Sequence, residues 1–150
     1  MLSLDYSVAI SHPISIRFRD DRIVDRLKAE AGARGHSTSA MAEELIDEGL
    51  RVRRHPLVTF RDGPSGRRAA LVGGPDVWEA ISGVVGGDVP GSERVERAIE
   101  LFCFRREQVQ AALAYYAEFT EEIDAQVTTN LAVADEAEDL WRRQQDLLAG

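Results

Sequence analysis

Three polar side chains, Ser15, Arg17 and Arg19, alternate with three apolar ones, Ile14, Ile16 and Phe18. A period of two is that of a half-buried strand, with one row of side chains inward and the other outward. The outward row carries two guanidinium groups. Arginine presents a planar fork of donors, which fits the O6 and N7 acceptors of guanine in a DNA major groove. Further on, Ser37, Thr38 and Ser39 form a run of three hydroxyl residues just before a helical apolar pattern. Backbone N–H groups at a helix start point forward and suit a phosphate.

Short elements must position these groups. After the strand, Asp20 reads as a helix N-cap. Ile23, Leu27 and Ala31 then recur at helical spacing, and Gly32 or Gly35 ends the helix. The second helix opens at residues 37–39 and runs to about residue 51, with Met41, Ala42, Leu45, Ile46 and Leu50 on its apolar face; Pro56 closes the unit. A strand and two short helices bury too little surface to stand alone. Two copies bury enough if the strands pair antiparallel about a two-fold axis and four helices cover Ile14, Ile16 and Phe18.

On these features, residues 14–51 resemble the ribbon-helix-helix repressors and antitoxins. The shared pattern is a strand with an outward arginine, a capped helix, and Gly35-His36-Ser37-Thr38-Ser39 opening the next helix. The resemblance implies a homodimer on double-stranded operator DNA. It implies Ser15 and Arg17 as base readers and Arg19 at the edge of the ribbon. Ser37 and Ser39, with Thr38 between them, would mark the phosphate clamp.

The chain continues with two apolar runs, 57–60 and 69–72, around the turn formers of 61–68, which predicts a β-hairpin. Asp76 with Glu79 three residues later predicts a capping box and a helix over 77–85. Residues 86–91 read as a loop, and Ser92 as the cap of a helix ending near residue 102. From Arg106 the chain is helix-compatible, with a break near Thr120. The expected fold is mainly α with short β. Its parts are a ribbon-helix-helix over 12–54, a hairpin and helical second domain over 57–124, and a C-terminal helix over 125–150.

Residues 57–124 resemble helix-turn-helix-like domains found in toxin–antitoxin operons. The cues are the hairpin, residues 73–78, residues 108–116 and residues 121–124. Such domains commonly accompany PIN-like nuclease toxins. The resemblance implies a helix pair turning at Phe102-Cys103-Phe104, with Arg105 and Arg106 near the start of its second helix. The same pair also reads as a packing and dimerisation module.

In the last segment Val127, Leu131, Ala134, Leu140 or Trp141, and Leu148 recur at helical intervals, an amphipathic pattern that needs a surface to cover. Trp141 beside Leu140 suits an interface anchor. Residues 118–150 carry nine acidic and two basic side chains, whereas 1–56 carry nine of each and 57–117 carry eight and seven. The net charge of -8 is therefore concentrated where a basic partner, not DNA, is favoured. The resemblance implies that this partner is a PIN-like nuclease, with Arg142 or Arg143 reaching its carboxylate cluster.

Other features restrict the function classes. No apolar run reaches the roughly 18 residues of a membrane span, and residues 1–10 lack the basic start of a signal peptide. A cytoplasmic protein is expected, with no membrane partner. Cys103 is the single cysteine and, between two phenylalanines, is expected to be buried. His12, His36 and His55 are scattered, so no metal is expected. The glycine pairs 73–74 and 86–87 lack a phosphate-loop lysine and read as turns. Trp78, Tyr115 and Tyr116 read as core or interface. The group Glu43, Glu44, Asp47 and Glu48 reads as a solvated face. No nucleophile, base and orienting group converge, so neither an enzyme nor a cofactor is expected. The expected function is that of a type II antitoxin, a dimeric autorepressor that neutralises a PIN-like nuclease. The alternative is a stand-alone ribbon-helix-helix repressor with no toxin.

Overall fold

The computed structural model describes residues 13–85 and 89–149. The expectations for residues 1–10, His12 and the glycine pair 86–87 lie outside these residues. Among the described residues the chain is mainly helical, with one antiparallel hairpin. It divides into two units, residues 1–44 and 45–150. Among the described residues no helix is long and apolar enough to cross a membrane.

In the first unit, residues 13–19 belong to no strand of the single chain. Helix α1 follows, Asp21–Arg34. Asp20 caps it by accepting the Arg22 N–H at 3.0 Å. Its end is set by Gly35, whose φ of 68° is the left-handed conformation that glycine adopts without steric cost. The Gly35 and His36 N–H groups donate back to Gly32 and Ala31. Helix α2, Thr38–Arg54, begins when the Ser37 hydroxyl oxygen accepts the Ala40 N–H at 3.1 Å. Ala31 and Met41 are the buried residues of these two helices.

The second unit takes in the end of α2 and continues with strands β1, Val58–Gly63, and β2, Gly66–Leu71. They pair from Val58 with Leu71 to Gly63 with Gly66, leaving Pro64 and Ser65 as the loop. The hairpin is thus longer than the sequence suggested, and residues 61–63 and 66–68 are ladder rather than turn. The capping box is formed, with the Asp76 N–H donating to Glu79 at 2.9 Å at the start of α3, Val77–Val84. Helix α4, Gly91–Phe102, takes Pro90 as its N-cap, so Ser92 lies inside the helix and does not cap it. Helix α5, Arg106–Glu118, and helix α6, Thr120–Ala149, are separated only by Phe119. The C-terminal helix therefore begins at Thr120, before the expected residue 125.

Apolar burial explains the arrangement. Val58, Ala69 and Leu71 of the hairpin pack with Val77, Ala80 and Ile81 of α3, Ala112 and Tyr115 of α5, and Ile123 of α6. Val84, Ala98 and Val109 form a smaller cluster joining α3, α4 and α5. Tyr115 is fully buried, and Trp78 and Tyr116 pack partly buried against the same core. Cys103 corrects an expectation, since it is exposed. It ends α4 with a φ of 54°, and this left-handed turn carries the thiol into solvent although Phe102 and Phe104 stack on each other.

Candidate nucleic-acid interface

The alternation at residues 14–19 leaves a full apolar row uncovered in the single chain. Ile14, Ile16 and Phe18 are 82%, 55% and 41% exposed. Large apolar side chains cost free energy in water, at about 25 cal/mol per Å². Ile23 of α1 and Leu45, Ile46 and Leu50 of α2 are exposed as well.

Ser15, Arg17 and Arg19 are also exposed. Among the described residues, neither arginine is held by a carboxylate. Asp20, next in sequence, is committed elsewhere. It accepts both the N–H and the Nε of Arg22 at 3.0 Å. The Arg22 side chain and then its backbone N–H hold the Asp20 carboxyl below its usual range. The acid beside Arg19 is therefore already partnered.

Ser37, Thr38 and Ser39 stand exposed at the α2 N-terminus. Ser37 uses its oxygen as a cap, which leaves its hydroxyl hydrogen available to an acceptor. The first amides of a helix have no carbonyl four residues back, so the N–H groups here suit an anion. No hydrogen bond joins this cluster to Ser15, Arg17 or Arg19.

The arginines of the second unit are used differently. Asp76, almost fully buried, accepts Arg61 Nε at 2.7 Å and Trp78 Nε1 at 3.2 Å, and it pairs with Arg68. Arg67 makes a two-pronged contact with Glu48, one prong at 2.8 Å, and also reaches Asp62 at 3.3 Å. Glu48 is thereby drawn out of the solvated face expected for it. Arg51 donates to Glu122 at 2.6 Å and to Tyr115 at 2.9 Å, with its Nε 2.9 Å from Asp47. Burial lowers the pKa of Arg51, but these hydrogen bonds outweigh burial and raise it. Arg54 and His55 both contact Glu118, at 2.6 and 2.9 Å. The His55 contact and then Arg54 lower the Glu118 pKa.

Helices α4 and α5 are joined by Cys103, Phe104 and Arg105. Helix α5 starts with Arg106, which is paired to Glu96 at 2.7 and 2.9 Å. Gln108, buried, caps this helix by accepting the Arg105 N–H at 3.0 Å and donates to the Val72 carbonyl at 3.3 Å. These contacts serve packing.

At the other end of the chain, Leu140 and Trp141 are exposed, at 49% and 59%. Arg142 is held within its own helix by Glu138 at 2.5 Å and Asp139 at 3.7 Å. Arg143 has no carboxylate partner among the described residues. Sequence spacing identified these groups by type. It missed the Arg51, Arg67 and Asp76 networks, because their partners lie far apart in the chain. Comparison of the chain with family models, with curated proteins and with solved structures finds no match.

Proposed function

We propose that this protein is a dimeric, sequence-specific DNA-binding regulator that acts as the antitoxin of a nuclease toxin. The observation that carries the reading is the double row at residues 14–19. Its apolar side is uncovered, and its polar side bears arginines that no carboxylate holds. A second copy would cover the first by antiparallel pairing, and the second would then face a major groove. The hydroxyl-rich start of α2 supports the reading, since a phosphate there would fix the register of the ribbon. The pairing of Arg51, Arg61, Arg67, Arg68 and Arg106 with carboxylates supports a DNA surface in the N-terminal segment rather than at these side chains.

The antitoxin role rests on the resemblance of both segments and on the exposed apolar face of distal α6, which would seat a PIN-like nuclease. The stand-alone repressor shares every feature of the N-terminal segment and differs only in lacking that partner. Selection of bound sequences from random duplexes by the full-length protein tests the DNA reading. A two-fold symmetric site is expected to be enriched, and absence of enrichment at low salt would overturn it.

A further inference from the structure

Only the base of α6 is covered by the core of its own chain. Ile123 is fully buried and Val127 is partly buried against the core. Farther along the helix, at about 100° per residue, Val133, Ala137, Leu140, Trp141, Leu147 and Leu148 fall within about 120° of its circumference and form a stripe. All six are exposed. Small residues occupy its first half and large ones its second.

The flank of this stripe is also patterned. Glu136 and Arg143, seven residues apart, lie on one edge of it. They are about 10.5 Å apart along the axis, too far to pair within the helix. Neither is held by an opposite charge among the described residues, although the neighbouring Arg142 is paired with Glu138.

We propose that a second copy of this chain covers the stripe, its α6 running antiparallel about a two-fold axis between residues 139 and 140. In that register Leu140 meets Leu140 of the partner subunit. Val133 meets the partner's Leu147, and Ala137 meets the partner's Trp141. Each small residue faces a large one, which fills the seam evenly. Glu136 faces the partner's Arg143, and the two-fold axis makes this ion pair twice. A parallel pair would set Trp141 against Trp141 and Ala137 against Ala137. It would also bring the Glu136 edge beside the Glu138 edge, which repels. The self-pairing stands independently of the antitoxin reading. It covers the same face a nuclease would use, so partner and second copy compete for it.

Cross-linking in full-length protein tests this, with Cys103→Ser removing the only native thiol. Chains carrying Val133→Cys and chains carrying Leu147→Cys, of different tagged mass, are co-expressed and mildly oxidised. The antiparallel register predicts cross-links between the two kinds of chain. Cross-links joining two Val133→Cys chains, or none at all, would overturn it. Glu136→Arg or Arg143→Glu alone should weaken the pairing roughly ten-fold at low salt, and the two together should restore it. Circular dichroism checks that each variant is folded. Failure of the double variant to rescue cross-linking would also overturn the proposal, whatever the outcome of DNA or nuclease binding.

Discussion

The guanidinium of Arg51 donates to Glu122 at 2.6 Å and so fastens the last turn of α2 to the first turn of α6. The same group lies 4.1 Å from the Phe119 ring centroid, a cation–π distance. Glu48 with Arg67, and Arg54 with Glu118, add further long-range ties from α2.

Arg51→Ala should therefore destabilise the protein by about 1–2 kcal/mol, because partly buried Glu122 and the Tyr115 hydroxyl would lose their cationic partner while exposed Asp47 would lose little. Arg51→Lys should recover only part of this, since an ammonium cannot serve three acceptors and the ring in one plane. Urea unfolding followed by circular dichroism measures both. A loss under about 0.5 kcal/mol for Arg51→Ala would place the contact among weak surface pairs.

Tyr115 gives the protein an alkaline limit. Burial, opposed by the hydrogen bond from Arg51 and aided by the Glu122 charge, pushes its phenol up to about 12 from 10.0. The folded state thus holds this proton more tightly than the unfolded state does. Its contribution is complete below pH 10 and is lost as pH rises from 10 through about 12. Urea midpoints should fall across that window. Tyr115→Phe, although less stable overall, should show a shallower fall. An identical slope in the variant would remove Tyr115 from the account.

What was legible in the sequence was local. Asp20 and Gly35 bracket α1, Asp76 and Glu79 open α3, and Thr120 marks the start of α6, because caps are read within a few residues. The hairpin length was hidden. Arg61, Asp62, Arg67 and Arg68 look like loop residues, yet they are cross-strand rungs, the three arginines held by Glu48 and Asp76 and Asp62 contacting Arg67. Those partners are 15 and 19 residues away in two of the bonds, and Arg51 reaches Glu122 across 71, so no spacing rule finds them. Cys103 misled because its neighbours are aromatic, while its left-handed backbone decides its exposure. The strand expected over residues 14–19 is not formed in the single chain, so the alternation there is a pattern of residue types only.

Truncation should separate the two halves of α6. Removing residues 132–150 leaves Ile123 and Val127 in place, so the fold should survive with little change in melting temperature. Removing residues 125–150 takes Val127 from the core and should cost about 1–2 kcal/mol. Both deletions should abolish capture of the proposed PIN-like nuclease partner in a pull-down. Full capture by the chain lacking 132–150 would show that distal α6 is not the neutralising element.

Dimerisation through the N-terminal row is best read in that shortened chain, where distal α6 cannot contribute. Light scattering should give a dimer. Phe18→Asp, which puts a charge among Ile14 and Ile16 at the shared face, should give a monomer whose second unit still unfolds cooperatively. A shortened chain that is already monomeric at micromolar concentration would contradict the two-copy ribbon.

The central claim is that Arg17 reads DNA from an uncovered ribbon. The most direct measurement is a gel-shift titration of the full-length protein and its Arg17→Ala variant on the selected duplex and on a duplex changed at one base, at two salt concentrations. Arg17→Ala should lose roughly 1–3 kcal/mol per site and cease to distinguish the changed base. Wild-type affinity should fall steeply with salt despite the net charge of -8. Equal affinity and equal discrimination in the variant would contradict the account and leave the exposed arginines of the N-terminal segment without a role in recognition.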